Sequence, residues 1–402
     1  MIKRPAMEGG KPARKKFLVF GSPLIEDNEI KEVIDTLHSG WIGKGPKVKK
    51  LEEMFRRYKG TKYAIALNSC TAALHLSLLA IGVKPEDEVI TTPMTFCATI
   101  NTIIHSGAVP VLADCEKETM NISPTEIKRK INSKTVAILP VHFAGRPCKM
   151  DEIMDIAKKH HLKAIEDCAH AIEAEYQGTK TGTFADTGCF SFYVTKNITT
   201  AEGGMVTTNN NKYAEKITVL GLHGMTKDAW NRFGDVGYKH YQVIAPGFKY
   251  NMTDIQAAIG IHQLPRIDRY WQRRQEIWNR YNNAFRNLPC FIPSPIEKDV
   301  RHAYHLYTLL LDIDNLSVNR DFILSALTKE NIGVGVHYLA IHSHPYYSRS
   351  FGYRWGDFPN AEFISDRTIS LPLSAKLSDE DVNDVIKAVK KLLVYYYKKQ
   401  KF

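Results

Sequence analysis

Residues 63–82 read YAIALNSCTAALHLSLLAIG, and the pattern of this stretch indicates the fold class. Its first five residues are a short apolar run typical of a buried strand, and the residues from Thr71 predict a helix that Gly82 ends. The same order recurs along the chain. Further strand-like runs are EVITTP (88–93), VPVLAD (109–114), VAILPVH (136–142) and LKAIED (162–167), and helical stretches separate them.

Continuous apolar strands that alternate with amphipathic helices are typical of α/β proteins with helices on both faces of a mainly parallel sheet. We therefore predict a three-layer large domain over residues 1–264, including an N-terminal arm. The stretch NEIKEVIDTLHSG (28–40) predicts a helix before the sheet, with Ile30, Ile34 and Leu37 at helical spacing. Another long helix over residues 266–285 opens a smaller α+β C-terminal domain, which we place at residues 265–402.

Composition restricts the function classes. The chain has 402 residues, 54 Lys and Arg against 43 Asp and Glu, and a net charge of +11 that is spread along it. Spread charge of this kind favours solubility and small anionic ligands, and no nucleic-acid-binding signature accompanies it. The seven cysteines show no C-x-x-C spacing. This pattern indicates reduced core residues and predicts no metal site. Without a signal-peptide or membrane-spanning apolar run, we expect a cytoplasmic protein.

Ligands of open α/β sheets bind beyond the C-terminal ends of the strands, so the residues there are site candidates. After YAIAL, the turn at Cys70 and Thr71 exposes backbone N–H groups at a helix N-terminus, which suits an anion. An ordinary helix cap is the alternative for this turn. After EVITTP comes Phe96, whose ring could stack on a flat ligand or pack in the core.

Three further candidates follow later strands. Asp167 ends an apolar strand, where a carboxylate is costly unless it is paired, so we expect a cationic partner or a capping role. His170 follows one turn later and could equally be a core histidine. Lys196 lies in SFYVTKNITTAEGGM (191–205), an apolar and hydroxyl-rich setting that is unusual for a solvating charge.

Together these groups match the chemistry of pyridoxal 5'-phosphate (PLP). Asp167 would keep the pyridine nitrogen protonated, which makes the ring a better electron sink. Backbone N–H groups of the Cys70–Thr71 turn and the Ser191 hydroxyl would hold the phosphate, with Phe96 against one ring face. Lys196 would form the Schiff base and carry protons, activated by partial desolvation.

The sequence resembles the DegT/DnrJ/EryC1/StrS family of sugar aminotransferases, which have the aspartate-aminotransferase fold type I. Matching stretches span almost the whole chain. They include PAMEGGKPAR, LHSGWIGKGPKVKKLEEMF, ALNSCTAALHLSLLAIG, LPVHFAGRPCKMDEI, IEDCAHAIEAEYQGTKTGTFADTGCFSFYVTKNITTAEGGM, HGMTKDAW, GFKYNMTDIQAAIG and GVHYLAIHSHPYY.

The resemblance implies roles for particular residues. Lys196 is the Schiff-base lysine of the Ser-x-x-x-x-Lys motif, and Asp167 and His170 contact the pyridine nitrogen and the ring hydroxyl. This chain differs from the family's pattern at two positions. Cys70 replaces the glycine of the phosphate-binding turn. Lys249 replaces an asparagine that, in relatives, contacts the phosphate bound by the partner subunit. We expect Lys249 to contact that phosphate or to be a solvated surface charge. If it does contact the phosphate, the enzyme is a homodimer with shared active sites.

The resemblance also implies the reaction. An amino group moves from L-glutamate or L-glutamine to a keto-sugar, most simply a nucleotide-linked 4-keto or 3-keto deoxysugar, in glycan or polysaccharide biosynthesis. A cyclitol ketone of the scyllo-inosose type is an alternative acceptor, and a non-catalytic regulator or binding protein is an alternative of another class. Related sugar dehydratases carry histidine in place of the Schiff-base lysine, so Lys196 argues against that activity. The matching stretches bring His223, His337 and His342 near the substrate, although each could be a surface or core histidine.

Overall fold

The computed structural model describes residues 3–226 and 241–398. Within those residues, seven strands form one sheet in the spatial order β1-β9-β8-β5-β4-β2-β3. They are β1 (Tyr63–Leu67), β2 (Glu88–Thr91), β3 (Val109–Leu112), β4 (Thr135–Ile138), β5 (Lys163–Asp167), β8 (Thr187–Ser191) and β9 (Gly204–Thr208), with the short pair β6 (Glu175–Tyr176) and β7 (Thr179–Lys180) between β5 and β8 in the chain. Strand β9 runs antiparallel to both of its neighbours, and the other pairs are parallel. The predicted mainly parallel sheet is confirmed.

Helices connect these strands. They are α1 (Asp27–Ser39), α2 (Pro46–Lys59), α3 (Cys70–Ile81), α4 (Cys97–His105), α5 (Pro124–Lys130), α6 (Met150–Lys159), α7 (Asn211–Leu220) and α8 (Asp254–Gln263). Local signals set their bounds: Ser123 caps α5, whose first residue is Pro124, and Gly40 and Gly82 end α1 and α3 in the left-handed conformation.

Two apolar layers sandwich the sheet because alternate residues of a strand point to opposite faces. Leu67 and Val206 pack into a cluster with α3 and α7 on one face. Their neighbours Ala66 and Met205 pack on the other face, in a cluster with α2 and α8. Helices α5 and α6 cover the rest of that second face. The three-layer arrangement follows from this alternation.

Helix α1 forms as its apolar spacing predicts, but its apolar stripe does not face the core. Ile30, Ile34 and Leu37 are about half exposed, at 52%, 47% and 54%. The side turned toward α8 is polar instead, with Glu29 buried and accepting hydrogen bonds from Gln263 and Arg266. The stripe therefore remains open on the surface of the single chain.

The C-terminal part is built around the small antiparallel sheet β10-β12-β13. Its strands and the separate β11 are β10 (Cys290–Phe291), β11 (Val300–Arg301), β12 (Tyr307–Leu311) and β13 (Thr368–Leu371). Its helices are α9 (Ile267–Phe285), α10 (Arg320–Lys329), α11 (Pro345–Phe351), α12 (Pro359–Arg367) and α13 (Asp379–Tyr395). Among the described helices, none combines the length and apolar character needed to cross a bilayer.

We propose that the boundary between the two parts lies near residue 265, as the sequence predicts. Helix α9 begins at Ile267, which packs in the core of the large sheet, whereas Tyr281 of the same helix packs in the C-terminal core. The N-terminal arm contacts the C-terminal core through Met7, and Glu330, next to the end of α10, accepts the Ala6 backbone N–H at 2.8 Å. The arm thus ties the two parts together.

Candidate active site

A cavity of about 570 Å³ opens where β1, β2, β5 and β8 end. Eight of the predicted site residues line it: Cys70, Thr71, Phe96, Asp167, His170, Ser191, Lys196 and His337. They come from segments up to 267 positions apart in the chain (337 − 70). The sequence shows only the order of these residues, and the fold brings them together around one cavity. Lys249, His223 and His342 are not among its lining residues.

Lys196 lies in the turn that follows β8, where its backbone N–H donates to the Tyr193 carbonyl at 2.9 Å. Its side chain is half-buried and reaches the cavity wall. Burial lowers the pKa of the Lys196 amine to about 8, although Cys70 and Asp167 act in the opposite direction. A lysine of this kind supplies far more neutral amine near pH 8 than a solvated one does.

The backbone that presents this amine is fixed from both sides. The Phe192 N–H donates to the Gly203 carbonyl and the Thr200 N–H donates to the Phe192 carbonyl, each at 2.9 Å. These bonds close the segment 192–203 into a loop, and the lysine lies within it.

Asp167 ends β5 as predicted and is 4% exposed. The Thr99 hydroxyl donates to its Oδ2 at 2.9 Å, and the Ala169 N–H donates to its Oδ1 at 3.1 Å. Burial raises the pKa of the Asp167 carboxyl, and these two hydrogen bonds offset part of that rise. In the described part of the chain, no lysine, arginine or histidine forms an ion pair with it, so its cationic partner would have to come from a ligand.

Thr99 was not among the predicted site residues, although the sequence carries a signal for it. Thr95 precedes α4, Thr99 lies in its first turn, and their hydroxyl oxygens are 2.7 Å apart. This pair of hydroxyls faces the end of β5. Thr99 thus orients the carboxylate that the sequence did identify.

The phosphate turn has the geometry of a helix N-terminus. Ser69 caps α3, with its hydroxyl accepting the Ala72 N–H at 3.1 Å, and Cys70 is the first helical residue. Cys70 is not in a positive-φ conformation, so the departure from glycine leaves the backbone donors in place. Gly204 of β9 lies against this turn, where a Cβ would collide with the Ser69 carbonyl and lie 2.6 Å from the Cys70 nitrogen.

His170 is buried at the cavity wall. Its Nδ1 accepts the Ala144 backbone N–H at 3.3 Å, and its Nε2 lies 3.0 Å from the Tyr338 hydroxyl. Burial, helped by the positive charge of Lys196, lowers the pKa of His170 well below its usual range. The imidazole is therefore neutral.

Phe96 and His337 also border the cavity. Phe96 is 57% exposed, so it is not a core residue, and its role as a platform for a flat ligand stays a prediction. His337 stacks on Phe20 with ring centroids 5.6 Å apart, and its Nδ1 lies 2.9 Å from the Ser370 hydroxyl. Burial lowers the pKa of His337 to about 4, so this ring too is neutral.

The structure does not bring His342 to the cavity. Its ring is 1% exposed, lies 3.0 Å from Glu362 through Nε2, and packs on Phe358. Lys249 and His223 are exposed on adjoining segments, joined by a bridge between Leu222 and Lys249. Their predicted contacts involve a partner subunit or a substrate and stay predictions.

A buried polar network behind Lys196 was also missed by the sequence reasoning. The side-chain amide of Asn197 donates to Glu173 at 2.7 Å and to the Ala303 carbonyl at 3.0 Å. Because both of its hydrogens are used, its oxygen accepts from His305 Nδ1, at 2.9 Å. Arg274 of α9 completes the network by pairing with Glu173. This network ties the lysine turn to the C-terminal part of the chain.

The residues present fit PLP. A buried carboxylate without a cationic partner among the described residues suits a protonated pyridine nitrogen. A capped helix N-terminus suits a phosphate, and a lysine of lowered pKa suits an aldehyde. When bound, PLP supplies an electrophilic aldehyde and an electron-withdrawing ring. Asp167 would keep the ring nitrogen protonated and Lys196 would anchor the cofactor and move protons, and both roles stay predictions.

A cavity of this chemistry at the C-terminal edge of such a sheet defines a PLP-dependent transferase. Comparison with known proteins specifies the class further. The chain belongs to the DegT/DnrJ/EryC1/StrS aminotransferase family, whose sequence model matches residues 23–390. It is a PLP-dependent aminotransferase.

Relatives and solved structures are similar over nearly the whole chain. MJ1066 of Methanocaldococcus jannaschii is 55% identical, covering 94% of this chain and 98% of its own. SpsC of Bacillus subtilis, a spore coat polysaccharide biosynthesis protein, is 49% identical with the same coverage. Among solved structures, the PLP form of Spr1654 from Streptococcus pneumoniae has a TM-score of 0.87 at 33% identity, covering 95% of this chain and 100% of its own. DesI, studied in the presence of its TDP-sugar product, has a TM-score of 0.83 at 27% identity, covering 95% and 94%.

Proposed function

We propose that this aminotransferase moves an amino group from L-glutamate or L-glutamine to a keto-sugar in glycan or polysaccharide biosynthesis. The acceptor is a nucleotide-linked 4-keto or 3-keto deoxysugar. One observation carries the proposal: Lys196, Asp167 and the phosphate turn line a single cavity. The TDP-sugar product of DesI and the polysaccharide role of SpsC support the class of acceptor.

The chain's own groups perform the transfer. When a donor amino acid binds, Lys196 Nζ would act as the neutral amine that takes the proton from the donor's α-carbon, and bound PLP would supply the electron-withdrawing ring. In the second half of the reaction Lys196 moves protons in the opposite direction, toward the acceptor. Asp167 would keep the ring nitrogen of the bound cofactor protonated. Because both halves use one lysine in one cavity, we expect ping-pong kinetics.

We further propose that the enzyme is a homodimer with shared active sites, in which Lys249 reaches the phosphate bound by the partner subunit. The exposed stripe of Ile30, Ile34 and Leu37 on α1, with Trp41 beside it at 53% exposure, supports an interface on this side. Lys249 is exposed, as a contact with a second subunit requires. All seven cysteines are unpaired, which supports the proposed cytoplasmic location.

The acceptor is tested by half-reactions. The PLP-loaded enzyme is first converted to its amine form with L-glutamate or L-glutamine, and the loss of visible absorbance identifies the donor. Keto-sugars, with and without a nucleotide, and scyllo-inosose are then screened for return of that absorbance. Return with the cyclitol alone would replace the keto-sugar assignment. Absence of any absorbance after PLP is added would favour a non-catalytic binding protein.

Lys196→Ala tests the assigned lysine in the same assay. We expect the variant to fold, to lack the absorbance that the covalent link to a lysine gives, and to lose turnover, because no other amine is assigned to that link. A variant with wild-type turnover would rule out this role for Lys196.

A further inference from the structure

The hydrogen bond between His170 and Tyr338 has a defined direction. His170 Nδ1 accepts the Ala144 N–H, so that nitrogen carries no proton. A neutral imidazole has one N–H, which must then be on Nε2. His170 Nε2 therefore donates to the Tyr338 hydroxyl oxygen, over 3.0 Å.

The hydroxyl hydrogen of Tyr338 is left for another acceptor. Among the described residues, His170 is the hydrogen-bond partner of this hydroxyl. Tyr338 lines the cavity, and its ring is held between Phe96, at 6.1 Å between centroids, and Phe143, at 6.0 Å. Since the oxygen already accepts from His170, an acceptor for the hydroxyl hydrogen would have to come from a ligand in the cavity that Tyr338 lines.

We propose that Tyr338 donates this hydrogen bond to an electron-rich oxygen of the ligand in the cavity, and that His170 is the positioning residue that directs it. The oxygen belongs either to the cofactor ring or to a substrate. The inference rests on the proposed function for the identity of the ligand. It also changes the role expected of His170, which would act on the ligand through Tyr338.

The environment of Tyr338 keeps it a donor. Burial, and then the negative charge of Asp167, raise the pKa of the Tyr338 hydroxyl, so it does not ionise in the working pH range. It therefore acts as a permanent hydrogen-bond donor and not as a base.

Tyr338→Phe tests the proposal, because it removes the hydroxyl and keeps the ring that packs on Phe96 and Phe143. Tyr347→Phe is the matched control: Tyr347 is buried in the same apolar cluster, and its hydroxyl donates to Asn101 outside the cavity lining. Each protein is loaded with PLP, and its visible absorbance is titrated with pH without substrate. KM and kcat are then measured for both substrates.

If the acceptor is the cofactor's ring oxygen, the titration midpoint of Tyr338→Phe rises by about one pH unit, because the lost bond stabilised the deprotonated form. If it is a substrate oxygen, the midpoint stays and KM for one substrate rises about tenfold. Unchanged midpoint and unchanged kinetics in Tyr338→Phe would overturn the proposal. A wild-type protein that binds no PLP would instead refute the proposed function.

His170 variants test the positioning role. His170→Gln keeps an N–H donor and should retain most of the wild-type midpoint and KM, whereas His170→Leu should shift the same quantity as Tyr338→Phe does. If His170→Leu matches the wild type while Tyr338→Phe does not, His170 does not direct the hydroxyl.

Discussion

Lys196 lies half-buried near a carboxylate, and the proposed chemistry depends on this residue. Burial moves the pKa of Lys196 down to about 8, and Cys70 and then the Asp167 carboxylate limit the shift. The position is therefore a compromise between desolvation, which frees the amine, and the negative charge, which keeps it protonated.

This pKa predicts how cofactor capture depends on pH. Only the neutral amine attacks an aldehyde, so the rate should fall about tenfold for each pH unit below about 8 and level off above it. Stopped-flow absorbance after mixing cofactor-free protein with PLP between about pH 6 and 10 measures this. A small lysine derivative in the same buffers, with the ordinary lysine pKa, is the control and should keep accelerating through about pH 10. If the rate of PLP capture by the protein also kept rising through about pH 10, the lowered pKa of Lys196 would be contradicted.

Thr99 should matter for the same site because it orients Asp167. Thr99→Val keeps the shape but removes one of the two hydrogen bonds to the carboxylate, which raises the Asp167 pKa further. We expect PLP affinity and turnover to fall about tenfold, since a hydrogen bond to a charged group contributes about 1.5–3 kcal/mol.

Thr102→Val is the control for this change, because Thr102 is buried on the same helix and its hydroxyl donates to the Thr99 carbonyl. Equal PLP affinity and turnover in the two variants would show that Thr99 has no special role at Asp167.

At the scale of elements, β9 explains the glycines of the AEGGM stretch. This strand inserts antiparallel between β1 and β8 and passes directly behind the phosphate turn. Its backbone comes so close to Ser69 and Cys70 that position 204 has no room for a side chain. The glycine is thus a packing requirement of the site.

Gly204→Ala should therefore displace the phosphate turn. Its Cβ would collide with the Ser69 carbonyl and lie 2.6 Å from the Cys70 nitrogen, and overpacking of this kind costs about 1–3 kcal/mol. We expect a lower midpoint of thermal unfolding and PLP affinity weakened about tenfold or more, measured by equilibrium titration. Gly43→Ala is the control, since nothing lies within 4 Å of its Cβ position. Wild-type affinity in Gly204→Ala would show that the turn tolerates the displacement.

At the scale of the whole molecule, the surface left open by one chain is informative. The apolar stripe of α1 is exposed while the opposite, polar side of the helix packs on α8. Exposed apolar stripes of this kind are typical of surfaces that another protein covers.

Ile34→Glu tests whether a second copy covers the stripe. A buried charge there would destabilise the dimer, so we expect a shift toward monomer in analytical ultracentrifugation and weaker PLP retention if the sites are shared. Asn28→Glu adds the same charge on another, exposed side of α1. This control should change neither the monomer–dimer equilibrium nor the retention of PLP. A dimer of wild-type stability in Ile34→Glu would place the interface elsewhere.

Local patterns in the amino-acid sequence predict the order of strands and helices, the glycine and serine residues that bound them, and the residues that follow each strand. Such signals are local, because hydrophobic period and helix caps depend on neighbours a few positions away. For this reason Asp167 and Lys196 could be identified before the structure, with Asp167 at the end of its strand and Lys196 in the turn after β8.

The tertiary structure alone shows that the polar side of α1 packs toward α8, that β9 runs antiparallel between β1 and β8, and that His342 is buried against Glu362 away from the cavity. It alone paired Thr99 with Asp167, 68 positions apart, and His170 with Tyr338, 168 positions apart. Such contacts depend on the path of the whole chain. No local preference of a threonine or a tyrosine records which distant residue it will meet.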